Sequence, residues 1–171
     1  MTGQAPSRRR FRPAKIVSGG QTGVDRGALD AAMALGIPHG GWCPKGRLAE
    51  DGPVPSIYQL AETDSPVYAV RTERNVLDGD ATLILCRGRP SGGTNLTLRL
   101  AQRHARPCLV VDLNKPVLAK IRRWLARIQP ATLNVAGPRE SQAPGIAAQV
   151  TELLVQLFSP PRSTRRGKDE R

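Results

Sequence analysis

Aromatic residues make up only 4% of the 171-residue chain, and no apolar run is long enough to span a bilayer. The core must be aliphatic, and no membrane helix is expected. The first 13 residues contain no apolar stretch of the kind a secretory signal requires, which favours a soluble, cytoplasmic protein. Cysteine is scarce too. Cys43, Cys86 and Cys108 are odd in number, far apart and outside any metal-ligand spacing, so neither a disulfide framework nor a zinc site is implied. Cys86 and Cys108 sit inside apolar runs and read as small core residues. With this length there is room for one globular domain and no second.

Acids are missing from the first tail. Residues 1–14 hold Arg8, Arg9, Arg10 and Arg12 without a carboxylate, and residues 159–171 hold five basic residues against Asp169 and Glu170. The tails thus supply four and a net three of the +12 formal charge. Rich in Pro, Ser and Arg with little to bury, they are expected to be disordered, flanking a domain at 15–158. They lack the aromatic residues of a single-strand platform, so a solubilising role is the simpler reading, with non-specific nucleic-acid contact through the tails as the other.

Between the tails, strand and helix patterns alternate. Lys15-Ile16-Val17 leads into Ser18-Gly19-Gly20-Gln21-Thr22-Gly23-Val24-Asp25, and Ala28, Leu29, Ala32, Met33 and Leu35 then recur at helical spacing until Gly36 and Pro38. A strand is expected over residues 39–43 and a polar site loop over 44–53. Residues 54–80 are the least legible: Val67-Tyr68-Ala69-Val70 reads as a short strand, and residues 72–77 as a short helix starting near Arg71 or Thr72. From Ala81 the pattern is clean. Strands at 82–86, 108–111 and 132–136 each precede an amphipathic helix, marked by Leu96, Leu100 and Ala101, then by Val117, Ile121, Trp124 and Leu125, then by Ile146, Val150 and Leu154. This alternation predicts an α/β, Rossmann-like, doubly wound and mainly parallel sheet with helices on both faces.

In such a sheet every strand-to-helix turn lies at the carboxyl edge, where ligands bind. Three unusual turns would meet there: residues 18–25, residues 88–97 and residues 136–145. In the first, Gly19, Gly20 and Gly23 have no Cβ, so an anion could approach backbone N–H groups at a helix start. In the second, Ser91, Gly92, Gly93 and Thr94 offer the same with hydroxyls added. Arg26, Lys45, Arg47 and Arg139 are candidate anion partners, though any one of them alone is more often a solvated charge. Asp25 would repel an anion and reads equally as a first-turn dipole residue. His39 and His104 are isolated, and His104 reads as packing. Gly-Gly-Gln-Thr-Gly lacks the Lys and Ser/Thr of a Walker loop, and no Gly-x-Gly-x-x-Gly is present, so ATP hydrolysis and dinucleotide binding lose support.

Five segments together, Ser18 to Arg26, Gly41 to Arg47 with Ala49-Glu50-Asp51-Gly52, Arg71-Thr72-Glu73-Arg74-Asn75-Val76, Gly92-Gly93-Thr94, and Leu133 to Ser141, resemble the molybdenum carrier (molybdenum cofactor carrier) family. The resemblance runs from about residue 15 to 158. It implies a Rossmann-like fold related to the lysine-decarboxylase-like proteins. It also implies a homo-oligomer, dimer or tetramer, that holds molybdenum cofactor, a pterin with a phosphate and a molybdenum oxo centre, without transforming it. Phosphoribohydrolases of the wider superfamily share Gly92-Gly93-Thr94, but their pattern continues with a glutamate where Asn95, Leu96, Thr97 and Leu98 stand here. A nucleotide-binding protein or a nucleoside monophosphate hydrolase is therefore the alternative, with Glu50, Asp51 or Glu140 supplying the acid.

The expected site follows. Gly19, Gly20, Gln21, Thr22 and Gly23 with Gly92, Gly93 and Thr94 would hold phosphate or oxo groups of a small anionic ligand. Arg26, Arg47 and Arg139 would add charge-assisted bonds, and Asn75 and Asn134 would read the ring or order the loops. No residue is assigned to catalysis or to a metal.

Overall fold

A computed structural model describes residues 10–161. The tail residues 1–9 and 162–171 lie outside the described part, and the expectations for them rest there. Inside it, the packed chain starts before residue 15: Phe11 lies against the main core, Arg12 donates to the Leu35 carbonyl, and the Ala14 N–H donates to the Ala131 carbonyl at 2.9 Å.

In chain order the elements are β1 (Lys15–Val17), α1 (Val24–Leu35), β2 (His39–Gly40), β3 (Trp42–Cys43), β4 (Leu48–Ala49), β5 (Gly52–Pro53), β6 (Ala61–Glu62) and α2 (Tyr68–Asp78). They continue with β7 (Ala81–Cys86), α3 (Gly92–Arg103), β8 (Cys108–Asp112), α4 (Leu118–Ile128), β9 (Thr132–Ala136) and α5 (Ile146–Phe158). The fold is the expected Rossmann-like α/β arrangement: five parallel strands in the order β2-β1-β9-β7-β8. Strand β7, buried at all six positions, is the continuous apolar run of a strand covered on both faces. Helices α1, α4 and α5 pack on one face around Val24, Leu83, Leu85, Ile121, Leu133 and Leu154, and α2 and α3 cover the other around Val76, Leu100 and Ala101.

Counted from β7, the strand order reads 2-1-3-4-5, a common doubly wound arrangement in which β1 and β2 have been moved to the front of the chain. The reversal of strand order falls between β7 and β9: the chain steps from β7 out to β8, then crosses back to β9 on the other side of β7. The crevice above that pair is where such a sheet binds ligands.

Two sequence readings are corrected. The stretch at 39–43 is two short strands in different sheets, because Gly41, at φ 126°, turns the chain: β2 pairs with β1, whereas β3 pairs with β6. A Cβ at Gly41 would stand 2.2 Å from the Ser18 carbonyl oxygen, so this close crossing requires glycine. Residues 67–70 are no strand. Val67 caps α2, and residues 68–70 form its first turn. The β-branched and aromatic residues there suggested a strand, but Val67 and Val70 are exposed, so no pleated burial exists for that pattern to report. The 44–53 loop carries the small antiparallel hairpin β4-β5, and a satellite core of Leu29, Cys43, Val54 and Tyr58 ties this region to α1.

Candidate functional site

The three glycine-bearing turns at the carboxyl edge lead into α1, α3 and α5, and the first N–H groups of these helices are treated differently. At α1 the Val24 N–H donates to the Pro138 carbonyl at 3.2 Å, and Gly23 is pressed under the 138–140 backbone. At α5 the Glu140 carboxylate accepts from the N–H groups of Gly145 and Ala147, an external cap placed where the helix dipole is positive. At α3 no side chain caps the helix: Ser91 is exposed, and the N–H groups of Gly92 and Gly93 have no partner among the described residues. Nothing lies within 4 Å of a Cβ built at either glycine, so this start is open. Of these three, only α3 keeps the anion-receptive end that a helix start offers.

This open start borders a two-lobed cleft above the β7/β9 switch point. The inner lobe, about 100 Å³, is lined by Gln21, Asp25, Tyr68, Arg71, Thr94, Thr97, Arg139 and Gln142, among others. The outer lobe, about 220 Å³, shares Thr94, Pro138 and Gln142 with it and adds Cys86, Arg87, Arg89 and Ser91. Elements from both faces of the sheet therefore converge on one place: α1 and the β9 turn on one side, α2 and α3 on the other.

The inner lobe is rich in unused donors. Gln21 is 5% exposed, and its Oε1 accepts the N–H groups of Thr22 at 3.0 Å and Glu50 at 2.9 Å. Two backbone donors on one oxygen settle which end of the amide is which. Its Nε2 is then a buried donor without a partner among the described residues, and Arg71 Nε is another. Leaving such a group unpaired costs about 1–3 kcal/mol. Arg71 reaches from α2 across the end of β1 to Asp25 of α1, with Nη1 to Oδ2 at 3.3 Å. Its path runs over Gly19, where a Cβ would stand 1.9 Å from Nη1. The guanidinium carbons of Arg71 and Arg139 both lie 5.7 Å from the centre of the Tyr68 ring, within cation–π range, so one aromatic ring is in reach of two cations.

Asp25 is 3% exposed. Burial raises its carboxyl above the usual range, against the lowering pull of Arg71 and of the Gln21 N–H, which donates to Oδ2 at 3.1 Å. It does not cap α1, whose N-cap is Gly23 with no side-chain bond. Glu50 shows the opposite shift: hydrogen bonds from Ser141 and then Thr22 hold its carboxyl below the ordinary range. Glu50 thereby ties the 49–51 loop to the first glycine turn and to the β9 turn.

The residues expected at the site divide into three groups. Gln21, Gly93, Thr94 and Arg139 line the inner lobe, and Gly92 opens α3 beside it. Gly19, Asn75 and Asn134 line a small cavity of about 10 Å³ behind it, together with Asp25 and Arg71. There Asn75 is committed to the Trp42 backbone, accepting its N–H at 2.8 Å and donating to its carbonyl at 3.0 Å, and Asn134 donates to Thr82 Oγ1 at 3.2 Å. Gly20, Thr22, Gly23, Arg26 and Arg47 do not line the cleft. A Cβ at Gly20 would meet Leu60 at 2.5 Å, and Thr22 is engaged by Glu50 and by the Glu140 N–H. Arg26 forms a bidentate pair with Asp51. Arg47 spends its guanidinium on four carbonyls, of Val54, Pro55, Tyr58 and Leu60, at 2.8–3.2 Å, which folds the 53–61 loop.

Tyr68, Arg71 and Gln142 were not predicted as site residues. Tyr68 comes from the stretch expected as a strand, Arg71 stands where the expected helix begins, and Gln142 carries no local signal. Of the two glutamates considered as replacement acids, Glu140 caps α5 and Glu50 braces loops. His104 ends α3, and its Nε2 lies 2.7 Å from a Glu73 carboxylate oxygen, joining α3 to α2.

The comparisons agree with this architecture. Residues 16–158 match the circularly permutated YpsA SLOG family. A crystal structure of a protein from Syntrophus aciditrophicus SB, described as "Putative molybdenum carrier protein", is similar at 44% identity with a TM-score of 0.84, covering 90% of this chain and 99% of that one. Among curated proteins no match is found. The match spans most of the described residues, and the sheet has the rotated strand order that a circular permutation produces: the chain belongs to the circularly permutated YpsA SLOG family.

Proposed function

We propose that this protein is a carrier that holds a small oxyanion-bearing ligand in the two-lobed cleft, and that the ligand is molybdenum cofactor or a related phosphorylated pterin. The observation that carries the reading is that Gln21 and Arg71, which line the inner lobe, each hold a buried donor without a partner among the described residues, Nε2 and Nε. A site that leaves donors unpaired at this cost suits a ligand rich in acceptors. The bare start of α3, with Arg89 and Arg139 nearby, suits a phosphate or oxo group. The donor set thus fits molybdenum cofactor, whose phosphate and oxo oxygens are all acceptors. The similar protein from Syntrophus aciditrophicus SB bears the name "Putative molybdenum carrier protein", which is in keeping with this reading.

A cytoplasmic homo-oligomer, dimer or tetramer, belongs to the same reading. Val67, Val70 and Leu77 expose 55%, 37% and 37% of their surface on and beside α2, apolar side chains that self-association would cover. Among the described residues no helix is long and apolar enough to cross a membrane.

Calorimetry and thermal unfolding with molybdate, molybdenum cofactor and nucleoside monophosphates test the carrier reading. Molybdenum cofactor is expected to bind and to raise the unfolding temperature, and Arg71→Gln to weaken it about tenfold or more, the worth of one charge-assisted hydrogen bond. Binding of nucleotides alone, or release of free base from them, would replace the carrier with a nucleotide-binding protein or hydrolase.

A further inference from the structure

A cleft built for an anion alone has no use for a buried carboxylate, yet Asp25 lines the inner lobe. Its Oδ2 takes the Gln21 N–H and Arg71, whereas Oδ1 takes no donor in good geometry among the described residues. Ser18 lies beside it, but the Ser18 hydroxyl gives its proton to the Val135 carbonyl at 2.7 Å. A carboxylate offers about four acceptor positions, so Asp25 retains capacity. The two residues that bond its Oδ2, Gln21 and Arg71, also carry the unpartnered donors Nε2 and Nε. The lobe is thus lined by residues with spare acceptors and by residues with spare donors.

We propose that the inner lobe recognises an aminopyrimidinone edge, the 2-amino group, adjacent ring N–H and neighbouring carbonyl shared by guanine-like and pterin-like rings. Asp25 accepts from the amino and ring N–H groups, and Gln21 and Arg71 donate to the carbonyl. This inference rests on the cleft being the ligand site, and it makes the ligand two-ended. Its ring enters the inner lobe, and its anionic group lies toward the α3 start and the outer lobe. Tyr68 supplies an aromatic wall at the ring end. Asp25 is then no obstacle to an anionic ligand, because it meets the ring and Arg71 offsets its charge.

The test compares ligands that differ at one group. Guanosine monophosphate is set against inosine monophosphate, which lacks the 2-amino group, and pterin against lumazine, which carries an oxygen in its place; inorganic phosphate is the third arm. In the unmodified protein the amino-bearing member of at least one pair is expected to bind about tenfold tighter, as one hydrogen bond to a charged acceptor allows. Asp25→Asn is expected to erase that preference and to favour xanthosine monophosphate, since an amide can donate to a 2-oxo group. Phosphate affinity should not fall, since the change removes a negative charge from the lobe and none of the phosphate's partners. Equal affinities within both pairs in the unmodified protein would overturn the ring-edge inference while leaving the anion site standing. Equal loss of all ligands in Asp25→Asn, phosphate included, would overturn it in favour of Asp25 acting only as the counter-ion that positions Arg71. Failure of every ligand, phosphate included, would remove the cleft reading and this inference with it.

Discussion

Glu50 shows how one side chain can organise a site without lining it. Its Oε2 accepts from the Ser141 hydroxyl at 2.5 Å, and its Oε1 accepts from Thr22 and from the Ser141 N–H at 3.2 Å, while Arg139 stands 3.8 Å away. These bonds favour the ionised form and lower the folded-state value. The sign follows from linkage: the contribution is full above the ordinary carboxylate value of 4.5 and is lost as pH falls through the lowered folded one. Glu50→Gln does not titrate. The unfolding temperature of the unmodified protein is therefore expected to fall toward that of the variant as pH drops below about 4.5, with a constant gap above pH 6. A gap that does not change with pH would show that Glu50 contributes no titratable stability. The same residue illustrates what a sequence conceals: it was considered as a general acid because it is an acid in a motif, and only its partners reveal a brace.

At the scale of elements, the three helix starts separate packing glycines from binding glycines. Gly23 has φ 80° and would place a Cβ 2.4 Å from the Pro138 carbonyl oxygen, whereas Gly93 has open space around it. Gly23→Ala is expected to destabilise the fold by about 2 kcal/mol or more through strain and backbone clash. Gly93→Ala, inside α3, is expected to stabilise it by about 0.5–1 kcal/mol while weakening anion binding, since a Cβ would crowd the exposed N–H groups. Urea unfolding and calorimetry on both variants separate the effects; equal stability losses would mean that the α3 glycine is also structural. In the sequence the two turns look alike, both Gly-Gly with a nearby hydroxyl. What distinguishes them is the 138–140 loop lying on the first and nothing lying on the second, a contact between residues more than a hundred positions apart. The long amphipathic helices and the six-residue strand β7 were legible because their periodicity reports burial directly. Helix α2 was read only in part, since its first turn is exposed and its Val and Tyr residues carry strand propensity without a sheet to join.

For the whole molecule, the rotated strand order has a physical consequence. Strand β1 and the end of α5 both lie at the amino edge, because α5 runs back from the carboxyl edge after β9. A chain opened before Asp80, with residue 159 joined to residue 14 through a short Gly/Ser linker, keeps every strand neighbour and every helix layer. It is expected to fold to the same parallel sheet, with a circular dichroism spectrum matching the parent and ligand affinity retained, since the cleft lies at the opposite edge. Loss of cooperative unfolding in that chain would show that the present chain order is required for stability. By itself the sequence determined the class of fold, the aliphatic core and the meeting of three glycine-bearing turns at one edge, because hydrophobic period and turn composition are local properties. The tertiary structure alone decided which of the three glycine-bearing turns leaves its helix start open, that Arg47 and Arg26 are spent on loops, and that Arg71, Asp25, Tyr68 and Gln142 join the cleft. Those outcomes depend on which backbone lies over which, and on partners that distant segments bring, neither of which a local pattern encodes.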